Sequence, residues 1–160
     1  MRKFMCLAAI LCLVAFAWAD QTESKPNDNI GGADGPISFN EVLTGGLPGS
    51  YGSEGTSPPQ DYWQFSATAG KTYTFTGVQQ NCSIIVGGLD LALTVVNGSD
   101  VTQKQQDAGG ECDSETLVWT PTSSGTFYLV VWEATGTPSG IDYYKVTCEE
   151  STSVEDWDLY

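Results

Sequence analysis

The stretch Thr120-Pro121-Thr122-Ser123-Ser124-Gly125-Thr126-Phe127-Tyr128-Leu129-Val130-Val131-Trp132 runs a Pro/Ser/Gly turn straight into an unbroken β-branched and aromatic segment. Polar turn residues followed by a short apolar run mark the start of a strand. Alternation places Phe127, Leu129 and Val131 on one face and Tyr128, Val130 and Trp132 on the other. Both faces are apolar, so this strand is expected inside a sheet and not at its edge.

The same period recurs outward from it. Tyr62 to Ser66 puts Trp63 and Phe65 on one face, and Lys71 to Val78 turns Tyr73 and Phe75 inward between threonines. Leu89 to Val96 turns Leu89, Leu91, Leu93 and Val95 inward and Asp90, Ala92 and Thr94 outward. Glu115 to Thr120 contributes Leu117 and Trp119, and Tyr143 to Cys148 contributes Tyr144 and Val146. A weaker strand is expected around Ile37 to Val42. Pro48 to Gln60, Asn97 to Asp113 and Glu133 to Asp142 read as loops. No segment sustains a helical period. Short alternating strands joined by Gly/Pro/Ser turns predict an all-β fold, an antiparallel β-sandwich. At about 1.5–3 kcal/mol per buried large side chain, the inward set supports a domain without help from a disulfide.

The N-terminus has its own pattern. A basic Met1-Arg2-Lys3 precedes an apolar run from Phe4 to Trp18, and Ala17-Trp18-Ala19 is a small-x-small site. This reads as a secretory signal over residues 1–19, cleaved after Ala19; the alternative, a membrane anchor, needs a longer run than this one. The expected organisation is a signal (1–19), a disordered leader (20–35), the sandwich (36–148) and an acidic tail (149–160). The product is expected to be secreted, extracellular or periplasmic.

Residues 20–160 hold four lysines against twenty carboxylates, a net charge of −16, with no arginine and no histidine. So acidic a chain is repelled by phosphate backbones and anionic lipid heads, which argues against nucleic acid and membrane as partners. Extracellular glycan or protein surfaces, and calcium, fit better. Without histidine there is no Ser-His-Asp or Cys-His nucleophile and no usual zinc set. A glycosidase-like carboxylate pair is the chemistry that stays open, and among twenty acids a close pair arises by chance. A non-catalytic role is therefore expected.

Three cysteines follow the signal: Cys82, Cys112 and Cys148. In an oxidising compartment two should pair. The simple topology, in which successive strands run antiparallel between the two ends of the domain, favours Cys82–Cys148 and leaves Cys112 in its loop. If Cys82 to Val86 is itself a strand ending in a Gly87-Gly88 turn, Cys82 pairs with Cys112 instead. The leftover cysteine is either buried or joins two chains. Asn81-Cys82-Ser83 and Asn97-Gly98-Ser99 match the N-glycosylation pattern, which matters only in a host that uses it.

Several segments in order resemble a known family: Asp61-Tyr62-Trp63-Gln64-Phe65, Ala69-Gly70-Lys71-Thr72-Tyr73, Leu89-Asp90-Leu91-Ala92-Leu93, Gly125-Thr126-Phe127-Tyr128-Leu129-Val130-Val131 and Tyr144-Lys145-Val146. The resemblance is to the bacterial pre-peptidase C-terminal domain and spans about Ile37 to Cys148. It implies a small secreted sandwich of jelly-roll type, usually appended to an extracellular hydrolase and acting as an accessory module, not a peptidase. Collagen-binding modules similar to it in fold bind calcium near the N-terminal end of the domain, and none of their ligand residues is matched here.

Two constellations are candidate sites. Asp100, Asp107, Glu111, Asp113 and Glu115 lie in or beside one long loop; calcium takes six to eight oxygens from such a loop, and the alternative is a solvated acidic loop. A hairpin register setting Trp132 opposite Tyr143 would align Tyr128, Val130, Trp132 and Tyr143 as an outward stripe. Exposed, the stripe suits sugar rings or apolar partner side chains; otherwise the N-terminal segment or the tail covers it. The expected role is a binding or accessory module for an extracellular polymer or protein surface. The alternatives are a structural component of a matrix or cell surface and a carboxylate-pair hydrolase.

Overall fold

The computed structural model describes residues 21–24, 27–48, 59–80, 82, 88–135 and 141–151. Nine strands follow in order: β1 (Gln21–Thr22), β2 (Val42–Pro48), β3 (Gln60–Ala67), β4 (Tyr73–Gln79), β5 (Leu91–Asn97), β6 (Thr102–Gln106), β7 (Glu115–Trp119), β8 (Gly125–Glu133) and β9 (Ile141–Glu150). One sheet has the order β1-β2-β9-β4-β7 and the other β3-β8-β5-β6. All pairings between these strands are antiparallel except the short parallel contact of β1 with β2, and Asp34 adds an isolated parallel bridge to Trp63. From β2 to β9 the chain changes sheet at every step except β5 to β6. That is the order of a jelly roll, in which strands adjacent in sequence face each other across the core.

The core is the set the alternation selects. Trp63, Phe65, Tyr73, Phe75, Leu89, Leu91, Leu93, Val95, Leu117, Trp119, Phe127, Leu129, Val131, Tyr144 and Val146 form one buried cluster, joined by Ile37, Leu43, Leu47, Ala67 and Cys148. Phe39 packs on Phe65, Tyr73 and Phe75 at one end. β8 lies inside its sheet between β3 and β5, as its two apolar faces require.

Four expectations change. The described residues of the polar stretch up to Gly35, read as a disordered leader, belong to the sandwich: Asn27 and Asp34 carbonyls accept from Tyr62 and Gln64 N–H groups, and Asp34 N–H donates to the Tyr62 carbonyl. The leader thus supplies backbone partners along the edge of β3, which would otherwise be bare. The weak strand at Ile37 to Val42 falls later, as β2. The long polar loop after Asn97 contains β6, whose TQKQQ sequence is exposed and has no apolar alternation to announce it. The hairpin setting Trp132 opposite Tyr143 does not form. Trp132 faces Gln60 and Ala92 in one sheet, and Tyr143 faces Gly46 in the other. The reason is the jelly-roll crossing between β8 and β9.

The same topology corrects the disulfide. Cys82 is bonded to Cys112, with Cα atoms 5.5 Å apart, and not to Cys148. β4 and β7 are direct antiparallel neighbours, Gly77 facing Glu115, so the end of β4 that leads to Cys82 lies beside the start of β7 that follows Cys112. Cys148 is mid-strand in β9 opposite Phe75, and its side chain is buried in the core. The signal segment, Asn81 and residues 152–160 of the acidic tail lie outside the described residues.

Candidate functional site

The outward face of the β3-β8-β5-β6 sheet is built by the same alternation that fills the core. With Trp63, Leu129 and Leu93 inward, Tyr62, Val130 and Thr94 must point out, and the register sets them side by side: Tyr62 opposite Val130 and Val130 opposite Thr94. The flanking rows set Gln60 and Ala92 beside Trp132, and Gln64 and Val96 beside Tyr128. Tyr62, Val96 and Val130 form a second apolar cluster outside the core, with Ile30, Ala33, Tyr128 and Trp132 packed partly buried against it. The N-terminal segment thus covers part of the stripe.

The rest is a groove of about 300 Å³. Tyr62, Val96, Val130 and Trp132 are its apolar lining, and Gln60, Thr94, Asp100, Thr102 and Gln105 its polar one. Two hydrogen bonds fix the aromatic groups. Trp132 Nε1–H donates to Thr94 Oγ1 at 3.1 Å, and Tyr62 O–H donates to Asp100 Oδ1 at 3.2 Å. Burial, and next the nearby Asp100 carboxylate, push the Tyr62 phenol up to about 12, so it keeps its proton at neutral pH.

Asp100 reaches this position from the β5–β6 turn. Its backbone is left-handed, at φ 59°, a conformation that Asp tolerates better than most residues. Asn97 holds the turn: its side-chain oxygen accepts from Ser99 N and Val101 N, and its carbonyl from Asp100 N. Asp100 therefore belongs to the groove.

The other four acids of the calcium reading do not converge with it. Glu115 is buried and spends one oxygen on the backbone N–H groups of Ala108 and Gly109. Asp113 accepts from Gly110 N and Glu111 from Gly88 N, while Asp107 is exposed. Among the described residues no group of three or more Asp, Glu or Cys side chains is placed to hold a metal ion. Glu115 and Asp113 thus order the backbone of residues 108–110.

Of the aromatic candidates, Tyr128 and Trp132 share the outer face of one sheet, while Tyr143 is half-exposed on the outer face of the other. Sequence reasoning passed over Tyr62, Gln60, Thr94 and Gln105. The outward parity of Tyr62 and Thr94 was legible, while Gln60 and Gln105 fell in segments read as loops, and their meeting depends on β3 and β5 flanking β8 and on β6 pairing with β5. Asp90 and Glu133 are the adjoining acids with raised pKa values, both chiefly through burial. Glu133 accepts from Asp90 N and from Thr135 N and Oγ1, which ties the β8 end to the residues entering β5. That is a structural use of the Glu133 carboxylate.

No protein-family model and no curated protein matches the chain. Among solved structures it is similar to the pre-peptidase C-terminal domain of a collagenase from Bacillus anthracis, at TM-score 0.50 and 16% identity over 71% of this chain and 91% of that one. It is also similar to a periplasmic inhibitor of g-type lysozyme from Aeromonas hydrophila, at TM-score 0.49 and 13% identity over 83% of this chain and all of that one. The chain has a fold of the pre-peptidase C-terminal type, as the ordered segments suggested.

Proposed function

We propose that this chain is a secreted, non-catalytic binding module that attaches to an extracellular polymer or protein surface through the outer face of the β3-β8-β5-β6 sheet. The observation that carries the reading is the groove beside Trp132, in which an aromatic ring adjoins polar side chains on the sheet face. Concave sites that join apolar surface to a few fixed polar groups are where ligands bind. Secretion is supported by the signal-like residues 1–19 and by the Cys82–Cys112 bond, since such bonds persist in oxidising compartments. A non-catalytic role is supported by the absence of histidine from the sequence and by the structural use of the Glu133 carboxylate.

The test is adsorption of the secreted protein to insoluble extracellular polymers and immobilised matrix proteins. Trp132→Ala should weaken retention, and Tyr143→Ala, on the opposite face, should leave it unchanged. Retention that follows Tyr143 and ignores Trp132 would move the binding face to the other sheet.

A further inference from the structure

We infer that the groove between Trp132 and Asp100 takes a neutral, hydroxyl-bearing ring, one sugar of an uncharged glycan chain. The inference rests on the reading of this sheet face as the binding face and names what the face recognises.

Main-chain recognition is closed here. Val130 lies between two paired strands, facing Tyr62 on one side and Thr94 on the other, so the backbone at the floor of the groove is already spent on ladder bonds. An extended peptide binds by adding to a sheet edge. A ligand on the sheet face must be held by side chains.

Those side chains have a definite chemistry. Trp132 and Tyr62 have given their hydrogens to Thr94 and Asp100, and Tyr62 is buried, so Trp132 is the group that offers a ligand ring surface, locked in place before it arrives. Gln60, Gln105 and Thr102 each carry both a donor and an acceptor. Partners that likewise both donate and accept are hydroxyls. Asp100 is the one charged group among the described lining residues, and the contact it makes in the groove is with the Tyr62 hydroxyl. A carboxylate has about four lone-pair positions on two oxygens, so it can still accept from two adjacent hydroxyls, the arrangement a sugar ring presents. An anionic ligand is disfavoured twice, by Asp100 and by the net charge of −16 on residues 20–160. An apolar side chain of a partner protein would strip Asp100 of water without replacing its hydrogen bonds.

The experiment is titration of the secreted protein with neutral oligosaccharides of the gluco-, xylo-, manno- and chito- series, with heparin and polygalacturonate as anionic probes and gelatin as a protein probe. At least one neutral series should bind, and Trp132→Ala and Asp100→Asn should each weaken it by about tenfold or more, while Tyr143→Ala leaves it unchanged. Asp100→Asn keeps an acceptor for Tyr62, and an unaltered melting temperature for that variant separates lost binding from lost folding. Heparin or polygalacturonate bound as tightly as the neutral sugars overturns the charge argument. Neutral binding indifferent to both substitutions overturns the site. Gelatin bound through Trp132 with no sugar bound overturns the glycan and leaves the binding face standing. No binding in any arm overturns both.

Discussion

Tyr144 shows how one side chain settles the arrangement around it. Its hydroxyl donates to Asp61 Oδ2 at 2.7 Å and accepts from Trp63 Nε1 at 2.9 Å, with all three residues buried. Burial, and next the Asp61 carboxylate, hold its pKa well above the usual phenol range, so the donor is permanent. Gly45 makes room for it: a Cβ there would stand 2.2 Å from the Tyr144 oxygen. Tyr144→Phe keeps the ring and removes the bridge, leaving the Trp63 N–H without its acceptor and Asp61 short of a donor. Leaving buried groups so should cost about 2–3 kcal/mol in a denaturant titration. A loss below the error of the measurement would mean that water replaces the hydroxyl. Alternation placed Trp63 and Tyr144 inward in the sequence. That they bond across the core was not legible, because it needs β3 and β9 to sit in facing sheets.

At the scale of elements, each strand with clean alternation was readable and the polar ones were not. β8 announced itself by two apolar faces and lies where such a strand must. β6 carries its exposed side chains without an inward row, and its pairing with β5 is what makes it a strand. The entry to β5 and the exit of β8 carry a testable charge effect. Asp90 is buried, its Oδ1 has no hydrogen-bond partner, and its pKa is raised by burial first and then by Asp107, Glu115, Glu111 and Asp113 of the β6–β7 loop and the start of β7. A carboxyl whose folded pKa exceeds its unfolded one favours the fold fully below the unfolded value and loses that contribution as pH rises through the folded value. Asp90→Asn removes the penalty. The variant should melt above the parent at neutral pH, and the gap should close as pH falls below the ordinary carboxylate range. A gap that is independent of pH would place the effect in packing and not in charge.

At the scale of the whole molecule, the sandwich class and its core were legible because burial follows a two-residue period. Strand order was not, because a jelly roll separates sequence neighbours into different sheets and no local pattern records which sheet a strand joins. The cysteines measure that difference. A topology of sequential neighbours favours Cys82–Cys148; the observed one sets β4 beside β7 and bonds Cys82 to Cys112, 30 residues apart. Cys148 is left as a thiol in the core, which burial pushes above the ordinary thiol range. It is therefore placed neither to pair nor to join chains while the domain is folded. Non-reducing peptide mapping should link Cys82 to Cys112. Thiol labelling of the native protein should be slow, and one equivalent should react once denaturant opens the core. Closing a loop of this length constrains the unfolded chain by about 3–4 kcal/mol in the chain-entropy account. Reduction should therefore lower the denaturation midpoint while the sandwich stays folded on its twenty-residue core cluster. Rapid native labelling at Cys148, or a linked peptide containing it, would show that β9 does not hold that side chain inside.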